Sequence, residues 1–92
     1  VARIGGDEFV CILGSIDEIE VASEIIGRIM QAIGAPVAIN EECTEWVTIT
    51  ASMGVSFSKT GNDDPDALLR RADHLMYEAK RRGGNCYVFE GE

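Results

Sequence analysis

The chain has 92 residues, 46% of them hydrophobic and 26% charged, which is enough for one small domain and too little for two. Sixteen acidic against eight basic side chains leave a net charge of −8 and argue against a general nucleic-acid binder, whose affinity rests on neutralised phosphates. No signal peptide, bilayer-length apolar run or N-x-S/T acceptor is present, so the expectation is a cytoplasmic chain without membrane contact of its own, any anchor lying upstream in a longer parent.

Two short apolar runs, Val1-Ala2-Arg3-Ile4 and Phe9-Val10-Cys11-Ile12-Leu13, flank Gly5-Gly6-Asp7-Glu8. Gly-Gly between such runs predicts the two-residue turn of a β-hairpin, with positive φ at both glycines. Because the chain opens on Val1 part-way along that first strand, it is expected to be a fragment trimmed at its N-terminus. Ser15 and Glu18 then fit a capping box, and Ile16, Ile19, Ala22, Ile25, Ile26, Ile29, Met30 and Ile33 recur with helical period. That helix should stop near Gly34, with Pro36 beyond it.

A short strand over 36–39, a polar turn over 40–45 and a long strand over 46–57 follow. In the long strand Val47, Ile49, Ala51, Met53, Val55 and Phe57 alternate with Thr48, Thr50, Ser52, Gly54 and Ser56. The apolar side is expected to pack helices and the small-polar side to meet solvent, with the lining of a polar cleft as the alternative. After a loop over 59–64, Asp64 reads as an N-cap with Pro65 at the first helical position. Leu68, Leu69, Ala72, Leu75, Met76 and Ala79 form the core face of this second helix, which closes in Lys80-Arg81-Arg82 and stops at Gly83-Gly84. A last strand covers 86–89. The order of elements predicts an α+β fold, helices packed on a largely antiparallel sheet.

The chemistry concentrates at the first turn. Glycines leave the backbone bare to a close-lying ligand, and Asp7 and Glu8 set carboxylates beside it. On a regular strand neighbouring side chains point to opposite faces, so only one of the two meets a given metal. A Mg²⁺ site commonly takes one or two carboxylates together with phosphates and waters. The same four residues also suit a hairpin whose acids are merely solvated. Lys80, Arg81 and Arg82 form the basic cluster; cations complement a helix C-terminus, and Lys80 is also long enough to reach a triphosphate. His74 reads as a surface histidine, and Trp46, Tyr77, Tyr87 and Phe89 as packing residues. Cys11, Cys43 and Cys86 are odd in number and too widely spaced for a zinc knuckle; two lie in apolar strands, which predicts buried free thiols.

Taken together, Val1-Ala2-Arg3-Ile4-Gly5-Gly6-Asp7-Glu8-Phe9, the strand Thr50-Ala51-Ser52-Met53-Gly54-Val55, and the run Arg71 to Lys80 followed by Gly83-Gly84-Asn85 resemble the GGDEF family, the diguanylate cyclases of bacterial cyclic-di-GMP signalling. The resemblance covers nearly the whole chain, as the C-terminal part of the domain from the signature hairpin to the last strand. It implies a nucleotidyl-cyclase-like, palm-like fold in which two domains, each holding one GTP, face each other as a homodimer. Each 3′-hydroxyl then attacks the α-phosphate of the opposite GTP, with Mg²⁺ or Mn²⁺ as cofactor. It further implies that Gly5 and Gly6 let the nucleotide lie on the backbone, that Asp7 is metal ligand and catalytic base, that Glu8 is catalytic, and that Lys80 contacts the terminal phosphates.

There are two departures from the family pattern. Gly84 stands where many members carry a phosphate-directed arginine. A further metal-binding aspartate, the guanine-reading residues and any inhibitory R-x-x-D product site would all precede Val1. The isolated chain is therefore expected to be inactive while its parent is a cyclase. The alternative is a non-catalytic GTP-binding regulatory module.

Overall fold

The computed structural model describes residues 2–6, 8–13, 18–58, 61 and 63–91. The chain forms β1 (Ala2–Gly5), β2 (Glu8–Val10), α1 (Ile19–Gly34), β3 (Val37–Ala38), β4 (Trp46–Val47), β5 (Ser52–Val55), α2 (Pro65–Arg81) and β6 (Cys86–Phe89). The fold is the expected α+β mixture. Its strands form three two-stranded pairs, β1–β2 and β3–β4 antiparallel and β5–β6 parallel.

The long strand expected over 46–57 is split. Trp46 and Val47 turn back onto Ala38 and Val37, while Ser52–Val55 pair with Cys86–Phe89. Asn40 explains the first pairing. Its Oδ1 accepts from the Thr44 and Glu45 amides at 3.0 and 3.2 Å, and its Nδ2 donates to Thr44 Oγ1 at 2.8 Å. A side chain that satisfies two backbone donors closes a tight turn locally and commits the following residues to that hairpin.

The parallel pair and α2 form the centre of the molecule, and here the expected polarity of the strand is reversed. Helix α2 lies on the small-polar face of β5. A Cβ at Gly54 would overlap the Ala72 carbonyl oxygen and the Met76 amide nitrogen and stand 2.8 Å from the Leu75 carbonyl carbon. Two residues on, Ser56 Oγ donates to the Leu68 carbonyl at 2.8 Å. Small side chains let the helix backbone approach the strand directly, so this face is helix-covered because it is small. By the register, Val88 stands beside Gly54 and is buried, as is Ala79 of the helix. The other face gathers aromatics: Phe57 meets Phe89 edge-on at 5.8 Å, and Tyr87 leans on Phe89 at 5.3 Å.

Both helix ends of α2 follow their sequence signals. Asp64 Oδ1 accepts from the Asp66 amide at 3.2 Å with Pro65 at the first position. At the far end Gly83 N–H donates to the Lys80 carbonyl and Gly84 N–H to the Ala79 carbonyl, at 3.1 and 3.0 Å, the paired bonds of a Schellman motif. Gly83 takes φ +112° and Gly84 φ +75°, conformations that favour glycine.

Helix α1 ends at Gly34 as its sequence predicts and buries Ala22 and Ile26 from the expected stripe. Its start differs. Glu18, expected inside the first turn, is the extended N-cap with φ −126°, and its side chain makes no cap hydrogen bond; Ser15 lies outside the described residues. Gly27, Met30 and Gln31 of α1 face Asn85, Cys86 and Tyr87 across a cleft of 460 Å³.

The buried apolar set is small: Ala22, Ile26, Ala79, Val88 and Phe89. Several side chains expected to pack are exposed instead, Tyr77 at 63% and Trp46 at 56% among them, and Leu69 is only partly covered. Cys11 and Cys43 are exposed free thiols and Cys86 is half-buried, which corrects the expectation of buried thiols. Cys11 lies beyond the end of β2, outside any strand that would cover it. The molecule measures 50 × 24 × 24 Å, with a radius of gyration of 14.9 Å. A compact chain of this length has about 12 Å. Among the described residues no ladder joins either hairpin to the β5–β6 pair.

Candidate functional site

The acidic hairpin closes differently from a turn centred on Gly5-Gly6. Gly5 is the last residue of β1 and pairs with Glu8 across an irregularity in the register; only Gly6, at φ +45°, is left-handed. Arg3 braces this corner, its Nε donating to the Gly6 carbonyl at 2.8 Å. Among the described residues, a Cβ at either glycine would meet nothing within 4 Å. The backbone conformation thus favours glycine at position 6, whereas nothing among the described residues requires glycine at position 5. The corner is open to a ligand. Asp7 lies outside the described residues.

Glu8 is half-buried and lines a cleft of 380 Å³ together with Asp66, Leu69, Arg70 and Asp73 of α2. Three carboxylates and one guanidinium face one space, a distribution that repels an anion unless a cation accompanies it. The sequence pointed to Leu69 as a core residue and to no site role for Asp66, Arg70 or Asp73, although 66, 69, 70 and 73 share one helix face by spacing alone. Among the described residues no three His, Cys, Asp or Glu side chains converge to hold a metal ion. The described residues alone therefore do not form a cation cage.

Lys80 is exposed in the last turn of α2 and does not line the Glu8 cleft. It lies seven residues beyond Asp73, about 10 Å along the helix. The structure thus sets the acidic corner beside the first half of α2 and the basic cluster at its other end.

A second polar group lies where β5 and β6 end. Arg71 Nε donates to Glu90 Oε1 at 2.5 Å and Arg71 Nη2 to the Phe57 carbonyl at 3.3 Å, while the Phe57 amide donates to Glu90 Oε2 at 3.0 Å. The Glu90 amide continues the ladder to the Val55 carbonyl at 2.9 Å. This clamp fastens α2 to both strand ends. Arg71 falls within the motif run, but nothing in the spacing pointed to Glu90, nineteen residues away.

The described residues set an open glycine corner, an acidic cleft and a basic helix end on an α+β fold, and among them no helix is long and apolar enough to cross a membrane. The comparisons are specific. Residues 1–86 match the family described as "Diguanylate cyclase, GGDEF domain", and the chain belongs to that family. It is 37% identical over 89 residues to the response regulator PleD of Caulobacter vibrioides, covering 94% of this chain and 19% of that protein. It is 35% identical over 82 residues to the diguanylate cyclase TpbB of Pseudomonas aeruginosa, covering 89% of this chain and 18% of that protein. An uncharacterized signaling protein of Caulobacter vibrioides is 34% identical over 89 residues, covering 96% of this chain and 11% of that protein. The chain thus spans between a ninth and a fifth of the length of these relatives. No solved structure gave a significant match.

Proposed function

We propose that this chain supplies the signature corner and the phosphate-end helix of a diguanylate cyclase domain in a longer protein of bacterial cyclic-di-GMP signalling. The observation that carries the proposal is the open corner at Gly5-Gly6 beside Glu8, within a chain of the GGDEF family. The substrate is GTP, and a second copy of the domain supplies the opposing nucleotide. In each half-reaction a 3′-oxygen bonds to the α-phosphorus of the other GTP, the α–β phosphoanhydride bond breaks and pyrophosphate leaves. Asp7 accepts the 3′-hydroxyl proton, Glu8 supports it, Gly5 and Gly6 admit the phosphates to the backbone, and Lys80 meets the terminal phosphates. Bound Mg²⁺ or Mn²⁺ would supply charge screening, held by Asp7 and the nucleotide.

The 92 residues alone do not turn over GTP in this account. The described carboxylates form no metal cage, and the acidic corner and Lys80 serve opposite ends of α2. One observation favours a GTP-binding regulatory module instead: Gly84 offers no side chain where many members place an arginine. Asp7→Ala separates the two readings. In a cyclase it abolishes cyclic-di-GMP formation; a regulatory module, which never forms the product, keeps most of its GTP affinity.

A further inference from the structure

The last turn of α2 and its cap residue carry three cations, Lys80, Arg81 and Arg82, and they are not equivalent. Arg81 Nη1 pairs with Glu78 Oε2 at 3.0 Å, and Arg82 Nε stands 3.7 Å from Glu78 Oε1. One carboxylate therefore engages two guanidiniums, from positions three and four residues back on the same face. Lys80 has no ion pair or side-chain hydrogen bond among the described residues, and it is exposed. Beyond it the Schellman turn at Gly83-Gly84 presents backbone only.

We propose that Glu78 limits the phosphate affinity of this end of the domain by holding Arg81 and Arg82, leaving Lys80 as the free cation for a nucleotide's terminal phosphates. The inference rests on the assignment of Lys80 to those phosphates. Guanidinium forks match phosphate and carboxylate geometry alike, so a triphosphate competes with Glu78 for the same donors. Arg81 follows Lys80 directly, about 100° around the helix, and once extended can share a ligand with it. Glu78 opposes binding by occupying the arginines that would otherwise reach the phosphates. The pairs are largely solvated, with Arg81 and Arg82 exposed by 67% and 50%, so the restraint is modest and reversible.

The test uses Glu78→Gln in the protein that carries the whole domain, titrated with GTP and separately with inorganic triphosphate over a range of salt. Glutamine keeps the helix propensity and removes the charge. The expected result is about two- to five-fold tighter binding, with a steeper dependence on salt as more cations meet the ligand. Adding Arg81→Ala and Arg82→Ala to the variant should erase that gain. A gain that survives in the triple variant shows simple removal of negative charge and overturns the tether. Lys80→Ala separates the two levels of the argument. If Lys80→Ala weakens binding and Glu78→Gln does not tighten it, the inference about Glu78 fails alone; if Lys80→Ala has no effect, the assignment of Lys80 fails and the inference with it.

Discussion

Gly54→Ala carries a prediction whose sign separates two views of the fold. If the small-polar side of the strand met solvent, alanine would help, because glycine inside a strand is worse than alanine by roughly 0.5–1 kcal/mol. In the structure the new methyl would fall on the Ala72 carbonyl oxygen and the Met76 amide nitrogen, both backbone atoms that no rotamer change can move. Ordinary van der Waals separation requires α2 to lift from β5 by more than an ångström. Such a lift loosens the contact of α2 with the strands, where Val88 and the helix residue Ala79 are buried, and strains the Ser56–Leu68 hydrogen bond. Overpacking of this kind costs about 1–3 kcal/mol, and the rigid backbone partners place Gly54 at the upper end. Against a total of about 5–15 kcal/mol for a small domain that is a large fraction, equivalent to a fall in Tm of order 10–20 °C. Urea and thermal unfolding followed by circular dichroism measure it. A midpoint that is unchanged or raised would refute the placement of α2 on this face.

Gly27→Ala, in the interior of α1 with open space around its Cα, should instead stabilise by about 0.8–1 kcal/mol in the same unfolding assay. Glu90→Ala removes an acceptor from both Arg71 and the Phe57 amide and should cost about 1–3 kcal/mol, with strand-end amides losing hydrogen-exchange protection first. Gly5→Ala should leave the unfolding midpoint within about 0.5 kcal/mol, because none of the described residues crowds it, while weakening GTP binding in the whole-domain protein. The exposed apolar side chains of β2 and the β3–β4 hairpin, Phe9, Val37, Ile39, Trp46 and Val47, should drive self-association of the 92-residue chain, visible as a concentration-dependent mass in sedimentation. A monomer at all concentrations would contradict that reading.

The sequence made the helices legible because their signals are local. Asp64-Pro65 and Gly83-Gly84 act within a turn of where they stand, and both ends of α2 lie where those residues place them. The split of the strand over 46–57 was not legible by alternation, since alternation survives whether or not the chain is paired; the deciding feature is the Asn40 side chain closing the preceding turn. Polarity misled at Gly54 for a related reason. A small residue is silent about whether it faces water or a helix backbone, and only the packing distinguishes them. At the candidate site the motif pointed to Glu8 and Lys80, but Asp66, Arg70 and Asp73 enter the Glu8 cleft through tertiary placement of α2. The Arg71–Glu90 clamp joins residues nineteen apart and follows from the parallel pairing of β5 with β6.

The central claim is that this corner and helix serve cyclic-di-GMP synthesis within a larger domain. Cyclic-di-GMP formed from GTP and Mg²⁺, resolved by chromatography for the 92-residue chain and for the whole-domain protein side by side, tests it most directly. Product is expected from the whole-domain protein and none from the chain. Product from the chain alone would contradict the requirement for residues outside it. No product from a folded, dimeric whole-domain protein would contradict the cyclase assignment and leave the GTP-binding module in its place.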